Sequence, residues 1–326
     1  MGCLSCILST KFLITLLLIS AIPIGILIAL ERAPPSTHVY EYHSNSWFRE
    51  CAKWDDVNRH FIVSYIEGGV GVINVPHEGD VVYDEITAVK DADLAGNASL
   101  GITIDRPRNR VLVAVADAIG NRYSALAAYD LSSWQRLFLA HLSGPDDEKS
   151  MADDVAVDGE GNAYVTDVKA SKIWKVNKDG KVLSIIRSPL FSFKEWYKNI
   201  IALNGIVYHP DGYLLVIHTT SGTLYKIDLN KGGQSIKLVK IVSGSLLFGD
   251  GLELLSPSKL VVAGKPSGQL LESSDGWETA SVVGKFWGPG HRLATATTVK
   301  DGKVYLSYLV GLGYPKRKHV LVEAMF

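Results

Sequence analysis

Disulfide chemistry is the first thing this sequence does without. Its 326 residues hold three cysteines, Cys3, Cys6 and Cys51. Two of them precede the one long apolar run, so Cys51 stands alone beyond it and no bridge can staple the remainder. Stability there must come from packing. Charge of one sign is missing too: 33 Lys and Arg against 34 Asp and Glu leave a net charge of −1. Without a basic face there is no footprint for nucleic acid, and Lys316-Arg317-Lys318 reads as a solvated loop. Helical periodicity is confined to a short stretch near Phe193 to Ile201. Gly-x-Ser-x-Gly, His-Glu-x-x-His and a phosphate-cradling loop are all absent. Gly68-Gly69-Val70-Gly71 joins two strand-like runs and reads as a hairpin connection.

The apolar run is Phe12 to Leu30, preceded by Lys11 and followed by Glu31-Arg32-Ala33-Pro34-Pro35. About nineteen uncharged residues can cross a bilayer's hydrocarbon as a helix and exceed the usual apolar core of a cleaved signal. Pro23 and Gly25 weaken it as a uniform helix, and no clean small-x-small cleavage site precedes Pro34. A signal-anchor is the favoured reading and a cleaved signal the alternative. The domains are then a cytosolic N-terminus (1–11), the signal-anchor or signal peptide (12–30), a linker (31–37) and a folded unit (38–326). Lys11 ahead of the run puts the N-terminus in the cytosol and the remainder across the membrane. That unit is membrane-anchored and lumenal or extracellular, or secreted or vacuolar if the signal is cleaved. The Asn97-Ala98-Ser99 sequon agrees with secretory entry and makes Asn97 a glycosylation candidate. Cys3 and Cys6 are either sites for reversible acyl chains or plain cytosolic thiols. The start Met1-Gly2-Cys3-Leu4-Ser5-Cys6 lacks the Ser or Thr that myristoylation favours.

Beyond the linker, strand signals dominate. IVSYI, VLVAVA, AYVTDV, YLLVIHT, KLVVAG and VYLSYL are β-rich runs bounded by Gly, Pro, Asn or Asp. They belong to six echoes starting at Glu50, Leu100, Asp153, Asn204, Asp250 and Leu293, about 43 to 53 residues apart. Each echo is a short strand, a tight turn and a second apolar strand. That period selects a propeller among all-β architectures, so the expected fold is an all-β six-bladed β-propeller behind an N-terminal hydrophobic helix. The last blade ends one strand short, and His38 to His43 is strand-like enough to supply it. Such closure would remove a free sheet edge.

First strands of a propeller line its central channel, so residues heading them meet although they are distant in sequence. Here Glu50, Asp153, Asn204 and Asp250 converge, with Leu100 and Leu293 apolar at comparable positions. Three carboxylates and an amide in a narrow channel repel one another unless a cation sits between them, and oxygen-only ligation suits calcium. The alternative for Asn204-Gly205 and Asp250-Gly251 is a plain turn at a strand entrance. Asp154 competes with Asp153 as the inward side chain. Among histidines, His60 and His209 fall in turns at the opposite mouth. His218 and His291 can reach the metal's mouth, and His291 in Gly288-Pro289-Gly290-His291-Arg292 is the better candidate. Trp54, Trp174 and Trp277 read as packing between blades.

Glu50-x-x-x-Trp54, Asp153 to Asp158 with Gly161-Asn162, Asn204-Gly205 with Pro210-Asp211-Gly212, and Asp250-Gly251-Leu252 together resemble a known group. It is the six-bladed calcium-dependent phosphotriesterase superfamily, with gluconolactonase/regucalcin-like proteins, paraoxonases and strictosidine-synthase-like relatives. The resemblance spans about residues 45 to 310 and implies a channel calcium, Ca2+, held by Glu50, Asp153, Asn204 and Asp250, with Asp250 doubling as base or nucleophile. The chain departs from the pattern at Asp153, where those enzymes usually have Asn. It departs again at Cys51-Ala52-Lys53, where Gly-Pro is favoured. The implied function is calcium-dependent hydrolysis of a small ester, lactone or phosphoester, with Asp250 and His291 as catalytic candidates. Two alternatives stand beside it: a non-catalytic propeller binding a protein or small ligand, and a strictosidine-synthase-like condensing enzyme. The acidic channel set argues against the last. The expected partners are a small-molecule substrate or ligand, and the membrane if the helix is uncleaved.

Overall fold

A computed structural model describes residues 10–75, 82–230, 232–233 and 235–326. The readings of Cys3 and Cys6 fall outside these residues. Two compact units emerge, Met1–His38 and Val39–Phe326. The first contains a helix over Thr10–Arg32, 23 residues long. At 1.5 Å per residue it extends roughly 35 Å, about the thickness of a bilayer's hydrocarbon core. Length and composition allow it to cross a membrane. The helix continues through Pro23, where the sequence suggested a weak point. Ser20 and Thr15 bond back to carbonyls of the preceding turn, so their hydroxyls are satisfied within the helix.

The second unit is a ring of six sheets, each a four-stranded antiparallel blade, two of them with an added parallel edge strand. Blade one runs through Ala52–Asp55, His60–Ser64, Val70–Asn74 and Ile86–Val89. Blade two comprises Ala98–Asp105, Arg110–Ala116, Ser124–Asp130 and Arg136–Ser143. Blade three follows with Ala152–Val157, Ala163–Asp167, Lys172–Val176 and Val182–Arg187, and blade four with Leu203–His209, Tyr213–His218, Thr223–Asp228 and Ser235–Leu238. Blade five is Gly249–Ser256, Lys259–Gly264, Gly268–Glu272 and Thr279–Phe286, edged by Lys240–Ser243. Blade six takes Ala294–Lys300, Lys303–Tyr308 and Arg317–Ala324 from the C-terminal end. Its fourth strand is Val39–Ser44, antiparallel to Arg317–Ala324 with Tyr40 opposite Leu321. The expected helical stretch near Phe193 is two short 3₁₀ turns, Pro189–Phe191 and Trp196–Asn199. Of the expected basic loop only Lys316 lies outside a strand, and it pairs with Asp84 at 2.7 Å. Arg317 and Lys318 open a strand because Arg317 stacks 3.9 Å over Trp47 and Lys318 pairs with Glu41.

Six apolar clusters pack between consecutive blades, and a seventh, smaller one gathers Ala98, Leu100 and Ala116 at the start of blade two. Leu112, Val165 and Trp174 fill the space between blades two and three, and Leu215, Leu252, Val262 and Trp277 that between four and five. The seam between blades six and one is the most aromatic, with Tyr40, Tyr42, Trp54, Phe61 and Tyr305 in one cluster. Phe61 lies 5.3 Å from Tyr40 and 4.8 Å from Trp54 between ring centres. Each such side chain contributes about 1.5–3 kcal/mol by leaving water. Trp54, Trp174 and Trp277 are thus packing residues, as their spacing suggested. Charged clamps add to the seams at the end remote from the strand starts. Arg110 of blade two binds Asp105 at 2.8 Å and reaches the Gly161 carbonyl of blade three at 2.8 Å.

Closure by Val39–Ser44 makes a direct prediction. Tyr40→Ala is expected to cost about 3–5 kcal/mol of stability, as for other buried aromatic truncations. Deleting residues 38–44 with the helix left attached should lower the thermal midpoint further. An unchanged midpoint in the deletion would exclude the strand as the ring's fastener.

Candidate functional site

Each first strand begins at one mouth of the ring, and a β-bulge sits near that beginning in five of six blades. In blade three Ala152 faces Asp167 and Val155 faces Val165, so three steps on one strand match two on its partner. Blades two, four and five repeat the same offset, at Ser99/Ile102, Leu203/Ile206 and Gly249/Leu252. Blade six shows it between Ala294 and Ala296. The extra residue breaks the strict alternation of faces, which is how bulges re-aim side chains beside functional sites. Leu100, Asp153, Asn204, Asp250 and Thr295 occupy these bulges. The position that the sequence assigned to Leu293 therefore belongs to Thr295. Leu293 precedes the strand and is 40% exposed, while Thr295 donates its hydroxyl to the Glu50 carbonyl.

Glycines explain how the strands come so close. A Cβ on Gly205 would sit 2.2 Å from the Asp250 carbonyl oxygen, and one on Gly251 would sit 2.6 Å from that of Thr295. A Cβ on Gly101 would strike Asp154 Oδ1 at 2.4 Å. Asn204-Gly205 and Asp250-Gly251 are therefore not turns. They lie inside strands, and glycine is there so that neighbouring backbones can approach around the axis.

The convergence of Glu50, Asp153, Asn204 and Asp250 is seen in their mutual electrostatics. Burial, then Asp153 and Asp250, pushes the Glu50 carboxyl well above its ordinary range. Burial and Asp250 do the same to Asp153. Asp250 is pushed up to about 8 by burial and by Asp154, with the Asn204 side chain opposing. Glu50 Oε2 and Asp153 Oδ2 are buried without a hydrogen-bond partner. Both Asp153 and Asp154 belong to the site, because the bulge turns neighbouring side chains toward the same channel. Asp154 is pushed up to about 6 by burial, against the pull of Lys53. It accepts hydrogen bonds from the amides of Val155 (2.9 Å) and Ile206 (3.2 Å). A cavity of about 10 Å³ lies among Glu50, Lys53, Asp154, Asn204 and Thr297, roughly the room one water needs.

This is a convergent ring rather than a closed cage. Among the described residues, no three His, Cys, Asp or Glu side chains are grouped tightly enough to form a ready-made metal site. The chemistry of the ring still fits a hard cation. Orphaned carboxylate oxygens and an amide oxygen are what such an ion takes as ligands, and repulsion between like charges is what it would relieve.

The histidines divide as follows. His209 ends the first strand of blade four, bonds the Pro257 carbonyl at 2.8 Å and stacks on Tyr213, so it is structural. His60, expected in a turn, instead opens the second strand of blade one, buried opposite Asp55. His218 is buried edge-on to Phe193, and burial pushes it down to about 4, which keeps the ring neutral. His291 is half-buried on the connection between blades five and six, at the mouth where the first strands start. Cys51 is buried, and its thiol is pushed up by burial and then by Glu50, which makes it unreactive. Asn97 is half-buried at the entry to blade two, and the Ser99 hydroxyl of its sequon accepts from the Gly69 amide at 3.1 Å.

The molecule is thus a six-bladed propeller with an acidic central channel. It belongs to the SMP-30/gluconolactonase/LRE-like family, whose model matches residues 50–269. No curated protein sequence matches the chain. Among solved structures it is similar to the major allergen Mala s 1 of Malassezia sympodialis, at 16% identity and a TM-score of 0.69, over 90% of this chain and 97% of that one. It is also similar to the luciferin-regenerating enzyme (14%, TM-score 0.56, over 89% and 98%). Virginiamycin B lyase from Staphylococcus aureus shares 12% at a TM-score of 0.57, over 87% and 88%. At such identities these likenesses concern the fold.

Two predictions come from this geometry. Gly251→Ala should destabilise the ring by roughly 1–3 kcal/mol, since the new methyl must displace backbone rather than a flexible side chain. A midpoint equal to wild type would refute the close-approach argument. The second concerns pH with a chelator present. The folded chain retains protons on Asp154 and Asp250 up to about pH 6 and 8, whereas an unfolded carboxyl releases its proton near 4. The native state thus binds more protons across that window, and stability falls as pH rises through it. Midpoints measured in EDTA from pH 5 to 8 should decline; a rising profile would contradict the assignment.

Proposed function

We propose that this propeller holds one calcium ion in its channel and hydrolyses a small ester, lactone or phosphoester at that mouth. The observation that carries this is the ring of Glu50, Asp153, Asn204 and Asp250, with buried, unpartnered oxygens on Glu50 and Asp153. Those four residues would supply the protein ligands. A bound calcium would polarise a carbonyl or phosphoryl oxygen. The chain's own part is to orient and to move protons. Asp250, half-buried in the ring, is the candidate base or nucleophile, and His291, on the bordering connection, is the candidate for proton exchange with the leaving group. Asp153 brings a full charge where relatives usually carry an amide, which favours cation retention over Lewis acidity. With only about 10 Å³ behind the ring, a substrate would sit at the mouth, among the connections between blades.

The small cavity also favours a second reading, in which the ion is structural and the mouth binds a ligand without turnover. For either reading, the apolar helix would deliver the propeller across a membrane as anchor or signal, with Asn97 available for glycosylation in the secretory pathway.

Full-length protein in detergent, titrated with calcium and assayed against lactones, aryl esters and phosphotriesters, decides between them. Hydrolysis should vanish in EDTA and return with calcium, and Asp250→Asn should slow turnover by about 100-fold or more. Calcium binding without turnover supports the binding reading. Turnover that survives the chelator removes the calcium mechanism.

A further inference from the structure

We propose that Lys53 is a built-in cation filling the lower half of the channel, so that the channel takes one metal ion and not two. This rests on the calcium reading above and specifies its stoichiometry.

First strands descend from the mouth, so Lys53 lies three residues below Glu50, and Glu253 three below Asp250. That is roughly 10 Å of strand, enough for a second layer of channel-facing groups. In that layer Lys53 Nζ donates to Glu253 Oε2 at 2.6 Å and to the Thr297 carbonyl at 2.9 Å. The three residues come from blades one, five and six, so the ammonium ties strands around the axis. Both side chains are largely screened from solvent: Lys53 is 18% exposed and Glu253 27%. Lys53 also lines the small cavity that Glu50, Asp154 and Asn204 border from above.

A carboxylate and a backbone carbonyl are the donors a hard cation would take. Here they already hold an ammonium, which needs hydrogen-bond acceptors just as such an ion needs ligands. The upper ring has no such resident, since Glu50 and Asp153 carry unpartnered oxygens. The two layers therefore differ in their need for an ion. Removing the Lys53 charge should release Glu253 and the Thr297 carbonyl and turn the lower layer into a second site.

Isothermal titration of the full chain in detergent with calcium chloride reads this directly. Wild type is expected to bind one ion per chain and Lys53→Met two, with Lys53→Met/Glu253→Gln returning to one. Wild type binding two, or Lys53→Met binding one, would overturn the proposal while leaving the calcium reading intact. Wild type binding none at millimolar calcium would instead overturn the calcium reading. Glu253→Gln gives a measure that does not need the Lys53 variants to fold. With its partner neutralised, the Lys53 charge opposes the upper ion, and the calcium Kd should rise about tenfold or more. An unchanged Kd there would also overturn the assignment.

Discussion

Backbone meets backbone at the axis of this ring, and the rest of the site depends on that. At Gly101, Gly205 and Gly251 there is no room for a single methyl carbon between one first strand and the next. Contact that close brings the residues just before those glycines, Leu100, Asn204 and Asp250, to the channel. The bulges then fix their direction, because the inserted residue interrupts alternation where a side chain must turn inward. Glu50, Asp153 and Asp250 are brought together there with their charges poorly hydrated, which is costly without compensation. The acidity of the channel is therefore a consequence of how tightly the blades pack, and not an addition to a finished fold.

The ring can carry that cost because its stability comes from elsewhere. Six large apolar clusters fill the spaces between the blades. The seam where the chain closes on itself has the densest aromatic packing, from Tyr40 through Phe61 to Tyr305. Val39–Ser44 does two jobs there: it gives blade six its fourth strand and buries Tyr40 and Tyr42 against blade one. A chain with one cysteine in its folded unit has no covalent substitute for this seam.

Much of this was legible in the sequence, and the failures have physical causes. The period and phase of the echoes found the blades, the closing strand, and Glu50, Asp153, Asn204 and Asp250, because each echo repeats one structural unit. Blade six misled by two residues because Leu293 matches Leu100 in type, whereas register belongs to Thr295, whose hydroxyl leaves little mark on an apolar pattern. The doubt between Asp153 and Asp154 came from applying strict alternation to a strand that bulges at that spot. The glycines after Asn204 and Asp250 read as turns because an isolated Asx-Gly pair has no way to show what lies across from it. Lys53 and Glu253 were invisible as a pair for the same reason: 200 residues separate them, and only the ring brings them together.

That pair changes how the acidity of the channel is understood. Counted from sequence, the polar groups of the axis are acids and an amide, with no cation among them. In space the channel is layered, with the lower carboxylate on Glu253 already matched by Lys53 and the upper ones exposed to one another's repulsion. An ammonium fixed by a carboxylate and a carbonyl cannot leave, so the lower layer stays neutralised, whatever the surroundings supply. It also pulls Asp154 toward its ionised form, between the two layers. The upper ring is left as the place where an ion's arrival changes the balance of charge, and it lies at the mouth, where a substrate can reach it.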